Sequence, residues 1–131
     1  MTLQLKKNKT VGDLQSEFNA VFPYLKIDFY KLVHGKPGLS IRQKLPQTAL
    51  LYTLENSQEG ELEVPDTMTV GQLEKTFFDK FRMNIQVARK SGSVWLEPTI
   101  TDGWTLKQQN EHGKELSEAV TENIIEKKPG A

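Results

Sequence analysis

Two stretches of this 131-residue chain read alike: TVGDLQSEFNAVF from Thr10 to Phe22 and TVGQLEKTFFDKF from Thr69 to Phe81. Both follow T-V-G-x-L-x3-F-x3-F. The likeness runs further, because Leu3 and Leu5 stand as far before Thr10 as Leu62 and Val64 stand before Thr69. After the second Phe one residue is dropped, and Leu25, Ile27 and Phe29 then match Met83, Ile85 and Val87. A weaker echo follows in Tyr52-Thr53-Leu54 and Trp104-Thr105-Leu106. Two copies at a period of about 59 residues are too few and too long for a solenoid, so a duplicated half-domain is the better reading.

Each copy has a physical logic. Leu3/Leu5 and Leu62/Val64 alternate apolar with polar as half-buried strands do. Thr10 and Thr69 are placed as helix N-caps, and Gln72 completes a capping box with Thr69, while Asp13 is a shorter partner for Thr10. Met68 and Leu73 are spaced as a hydrophobic staple. Val11, Leu14, Phe18, Val21 and Phe22 share one helical face, as do Val70, Leu73, Phe77 and Phe81. Gly12 and Gly71 lack the multi-glycine nest that cradles phosphate, so they read as points of close helix-to-sheet approach.

Pro23 ends the first helix, and strands return over Leu25–Lys31 and Met83–Lys90. Ser91-Gly92 signals a tight hairpin, and HGKPG opens a looser turn before LSIRQKL. A third T-x-x-Q box runs from Thr105 to Gln108. Beyond Gly113, which is placed as a break, Leu116, Val120 and Ile124 recur every four residues along a terminal helix. The expectation is one domain, 1–131, of two repeats (1–60 and 61–113) with a C-terminal helical tail, 114–131. Its class is α+β, a two-layer sandwich from a duplicated βαβ(β) half, ferredoxin-like, with a β-grasp-like unit as the alternative.

Composition narrows the chemistry. The chain has no Cys, which removes thiol catalysis, thiolate metal sites and disulfides. Basic and acidic residues number 17 each, so no global field draws in nucleic acid or an anionic membrane. Residues 1–60 carry +3 and residues 61–131 carry −3, a mild complement between halves or copies. No window approaches the ~20 apolar residues of a membrane span, and MTLQLKK has no leader pattern, so the expectation is a cytoplasmic protein without a membrane partner.

The segment VARKSGSVWLEPTITDGWTLKQQNE, Val87 to Glu111, together with FPYLKIDF near the start, resembles a family of small uncharacterised bacterial proteins. RKSGSVWLE and WTLKQQNE are the most distinctive pieces. The resemblance implies a bacterial cytoplasmic protein and brings no catalytic residue.

Candidate catalytic groups are His34, His112, Asp102, Glu97 and Trp104, but nothing in their spacing brings them together, and two loop histidines are the plainer reading. No H-x3-H or H-E-x-x-H is present, so neither metal nor cofactor is expected. Glu61 and Glu63 sit on one strand face, where a solvated surface is the plainer reading. Alternation puts Lys26, Asp28 and Tyr30, then Asn84, Gln86 and Ala88, and then Trp95 on the face opposite the helices. The RNP1-type signature of base-stacking sheets is missing, so an RNA- or DNA-binding module is an alternative and not the choice. The choice is a non-catalytic protein-binding or self-assembling module, with a homodimer favoured and a small enzyme or small-molecule binder as another alternative. Its candidate partner surface is Tyr30, Trp95, Trp104, Arg89, Lys90, Leu116, Val120 and Ile124. Trp104 has a competing role as a core plug, as Tyr52 does in the first half.

Overall fold

The computed structural model describes residues 1–34, 40–98, 101 and 103–126, and of residues 34, 40 and 119–126 the backbone alone. The order is β1 (Thr2–Leu5), α1 (Val11–Val21), β2 (Leu25–His34), β3 (Ser40–Lys44), a 3-10 turn Leu51–Thr53, β4 (Gly60–Glu63), α2 (Val70–Phe81), β5 (Asn84–Ser91), β6 (Val94–Leu96) and α3 (Leu106–Glu126). The fold is α+β, with two antiparallel sheets.

All three helix starts are written locally. Thr10 accepts from the Asp13 N–H at 3.1 Å while the Thr10 N–H donates to Asp13 Oδ2 at 2.9 Å. Asp13 therefore completes a capping box despite its short side chain. Thr69 with Gln72 and Thr105 with Gln108 repeat the arrangement at the same distances. Arg82, in the left-handed region at φ 55°, ends α2 and turns the chain into β5.

The strands are distributed differently from a ferredoxin-like sheet, where the first and second strands of each half share one sheet. Here β1 pairs with β4 in a separate two-stranded sheet, while β2 and β5 pair at the centre of a four-stranded sheet of order β3-β2-β5-β6. In the two-stranded sheet Leu3 faces Leu62, and in the central pair Asp28 faces Gln86. Backbone bonds also recur: Leu51 N–H donates to Lys9 O and Leu106 N–H to Met68 O, while Tyr52 N–H donates to Lys7 O and Lys107 N–H to Asp66 O. These bonds align Leu51 with Leu106, three residues away from the Tyr52/Trp104 echo. Leu51 and Leu106 are the buried plugs, and Tyr52 and Trp104 are exposed.

One apolar cluster draws on both halves: Leu3, Leu5 and Leu62 from the small sheet with Val64 just after it, Val11, Leu14 and Phe18 from α1, Leu73, Phe77 and Phe81 from α2, and Leu25, Ile27, Phe29, Ile85 and Val87 from the central strands. Phe29 meets Phe77 edge to face at 6.0 Å, tying β2 to the helix of the other half. Val21 falls at the margin of its stripe in the last turn of α1 and is exposed. Gly12 makes its close approach to the loop before the 3-10 turn, donating to Gln47 O at 2.9 Å, and an added Cβ there would lie 3.2 Å from that oxygen. The β5–β6 turn is Gly92-Ser93, one residue later than the sequence signal, with Gly92 at φ 65°. HGKPG lies outside the described residues apart from the His34 backbone. Gly113 does not break α3; it is where the helix touches the sheet, since a Cβ there would lie 2.9 Å from Tyr24 Cβ and 3.1 Å from Arg89 Cγ.

Phe18 and Phe77 are fully buried. Truncating either to Ala is expected to cost about 3–5 kcal/mol in denaturant unfolding, and a loss below about 1 kcal/mol would contradict their core role. The caps separate by pH. The Thr10 backbone bond holds the Asp13 carboxyl below its ordinary value of 3.8, so its contribution exists above the unfolded value and is lost as pH falls through the lower folded one. Asp13→Ala should destabilise at pH 7 and progressively less as pH falls below 3.8, whereas the effect of Gln72→Ala should not change over that range, read from unfolding curves at each pH.

Candidate interaction surface

On the face of β2 and β5 opposite the apolar cluster, the ladder sets Lys26 beside Ala88, Asp28 beside Gln86, and Tyr30 between Lys44 and Asn84. Asp28 is only 5% exposed, yet it is well attended: Lys44 Nζ lies 3.4 Å away, Lys26 Nζ 3.6 Å, and Gln15 Nε2 donates from α1 at 3.3 Å. Tyr30 is 8% exposed, with the Arg42 guanidinium 4.0 Å over its ring and its hydroxyl donating to Glu97 at 3.3 Å. Burial pushes the Tyr30 phenol above its ordinary value, and the Asp28 carboxylate raises Lys44. The face that alternation leaves open is thus closed over Tyr30. Trp95 remains at its rim, with Lys26 Nζ 5.2 Å from the ring.

The other surface residues separate. Arg89 turns to the helix side, where its Nη1 donates to Gln109 at 2.9 Å and fastens α3 to the sheet. Lys90 stands opposite Trp95, and its N–H donates to Tyr24 O at 2.9 Å. Trp104 packs edge to face on His112 at 5.4 Å, with Glu115 3.8 Å from His112 Nδ1, whereas Glu97 is engaged by the Tyr30 hydroxyl. Leu116 is half-buried, and the side chains of Val120 and Ile124, like Asp102 and the His34 side chain, lie outside the described residues. No group of three or more potential metal-binding side chains is found among the described residues.

A surface not anticipated from the sequence lies at the other end of β2, which runs three residues past the Lys31 boundary. Beyond Tyr30 the strand has β3 on one side and, among the described residues, no strand on the other, because β5 begins at Asn84. Val33 pairs with Ile41 across the hairpin, and these two, with Leu32, are exposed, Ile41 by 60%. Beside this hairpin runs a groove of about 820 Å³, lined by Tyr30–Val33, the Thr53–Asn56 loop with Gln58, Phe78 and Arg82 from α2, and Asn84. Phe78 is exposed, with the Arg82 guanidinium 5.5 Å from its ring. The apolar run Leu32-Val33 after Lys31 was the one signal that the strand continues.

Asp28→Asn should destabilise by about 1–2 kcal/mol at pH 7, less than a fully buried broken pair because both lysines retain solvent. A raised lysine or tyrosine stabilises the fold below its unfolded value and loses that contribution as pH climbs through the folded one. The ordinary values are 10.5 and 10.0, so the parent protein should lose stability above about pH 10 more steeply than Asp28→Asn, which no longer raises Lys44. Parallel slopes in alkaline unfolding titrations would contradict the pairing.

A scan against models of protein families finds no match, and searches of curated proteins and of solved structures likewise find none. No helix is long and apolar enough to cross a membrane among the described residues.

Proposed function

We propose that this chain is a non-catalytic protein-binding module built from a duplicated βαββ half, and that it engages its partner through the β2–β3 hairpin. The observation that carries the reading is the hairpin's apolar surface: Leu32, Val33 and Ile41 are exposed and adjacent on two paired strands. A cross-strand apolar pair in water has little reason to be there for stability, since the same strand buries Ile27 and Phe29 a few residues earlier. The duplication rests on the self-facing pairs Leu3/Leu62 and Asp28/Gln86 and on the recurring bonds around Leu51 and Leu106. The resemblance to small bacterial proteins supports a bacterial cytoplasmic setting for the module. A homodimer through the same hairpin is its self-assembling form.

The double variant Val33→Asp/Ile41→Asp should melt within a few degrees of the parent, because both side chains are already solvated. Used as bait in a lysate of the native host, it should lose the proteins that the parent retains, and light scattering reads any loss of self-association. Equal retention and equal mass for both baits would refute the hairpin as the binding element.

A further inference from the structure

The groove beside β2 has a floor that asks for a particular kind of occupant. Leu45 N–H donates to Phe29 O at 2.8 Å, which fixes the phase of the β2–β3 ladder: residues 29, 31 and 33 turn their backbone groups toward β3, and Tyr30 and Leu32 turn theirs away. Tyr30 spends its groups on Asn84 of β5. Leu32 has no such neighbour, and neither its N–H nor its C=O is hydrogen-bonded among the described residues. At the corresponding place on β5, Lys90 N–H does find an acceptor in Tyr24 O. Beside Leu32 the corresponding carbonyl is missing, because Arg82 at φ 55° swings the chain into α2.

From this geometry we infer that the groove takes the C-terminal end of another polypeptide as an added β-strand, antiparallel to β2, with its terminal carboxylate at Arg82. The inference rests on the protein-binding reading and specifies the partner. A helix cannot serve Leu32, since the backbone groups along its sides are bonded to one another. An extended segment can, and four consecutive residues, Tyr30–Val33, line the slot along its length. The slot lies in line with β5 and is closed at one end by Arg82 and Asn84, so an incoming strand must stop there. A strand running as β5 runs, antiparallel to β2, stops with its C-terminus against Arg82. A strand of the opposite sense would bring an ammonium to that guanidinium. Charge selects the first: Lys31 and Arg82 line the slot without an ion-pair partner among the described residues, and Glu55 on the opposite wall is the one acid lining it. Phe78, Leu54 and Val33 offer apolar contact to alternate side chains of the strand.

The test uses the full chain against a library of random octapeptides displayed with free C-termini, and enriched sequences are synthesised with a free or an amidated end. Free-acid peptides are expected to bind at least tenfold more tightly than their amides, and to weaken at least tenfold against Arg82→Gly, which keeps the left-handed turn and removes the guanidinium. Leu32→Pro removes the N–H that faces the groove together with the leucine side chain, but no ladder bond, and should abolish binding while leaving the melting curve near the parent's. Should Leu32→Pro fold poorly, Arg82→Gly and the amide comparison decide alone. No enrichment, equal binding of amide and acid, or a peptide indifferent to both variants would overturn the inference. If the aspartate hairpin variant still loses its partners while Leu32→Pro and Arg82→Gly keep them, the groove assignment fails and the module reading stands. A change in the protein's own mass caused by Leu32→Pro would instead assign the edge to a second copy and overturn the peptide.

Discussion

Everything in this molecule is arranged around the antiparallel pairing of β2 with β5. Its register puts Ile27 opposite Val87 and Phe29 opposite Ile85, so the apolar residues of both central strands face one way. A slip of one residue would turn either set out of the apolar cluster and put Asp28 or Gln86 into it in their place. Once that pair is set, its outer edges need partners, and neither β3 nor β6 spans the whole length. The helices supply the difference: Gln15 and Asn19 of α1 donate to the carbonyls of Ile27 and Leu25, and Glu74 of α2 accepts from the Val87 N–H. Gln15 and Glu74 occupy the same place in the two T-V-G stretches, so the repeat carries an edge-covering device as well as a core stripe.

What could be read from the sequence was what is local. A capping box spans three residues and is visible in any window, which is why Thr10, Thr69 and Thr105 stand where the spacing puts them. The helical stripes ending in Phe18 and Phe77 are likewise properties of one segment. Strand order is not: alternation in TLQL and GELE marks two half-buried strands but cannot say that they pair with each other apart from the main sheet. Side chain parity correctly put Tyr30 on the helix-free face, but parity does not say what covers a face, and here Glu97 and Arg42 close over the ring. The echo of Tyr52-Thr53-Leu54 in Trp104-Thr105-Leu106 misled because likeness of side chains was matched where the backbone bonds repeat three residues earlier in the first half. Gly113 misled in another way: a glycine in a helix weakens it in isolation, but here the missing Cβ is what lets α3 lie against Tyr24.

The two halves differ most after their last strands, and that difference places the candidate surface. Thr105-Leu106 opens a helix of 21 residues, while the matching Leu50-Leu51 opens a single 3-10 turn. In the proposed two-fold correspondence, Tyr24, Arg89 and Lys90 answer to Arg82, Lys31 and Leu32. The first three receive α3: Gly113 rests on them, and Gln109 binds Arg89. The second three line the groove. The loop after the 3-10 turn fills only part of the space that a helix would take, sending Ser57 inward and Gln58 N–H to Phe81 O, and what remains is a slot along the strand edge. One unit used twice would thus close its seat with its own chain in one copy and keep it open in the other. The closed seat needs its cation hydrogen-bonded in place, and Arg89 finds the Gln109 amide oxygen. The open one holds Lys31 and Arg82 in solvent, where their hydration is intact and the fold tolerates them without a counter-charge. The cations can therefore serve an incoming carboxylate without having been part of what holds the protein together.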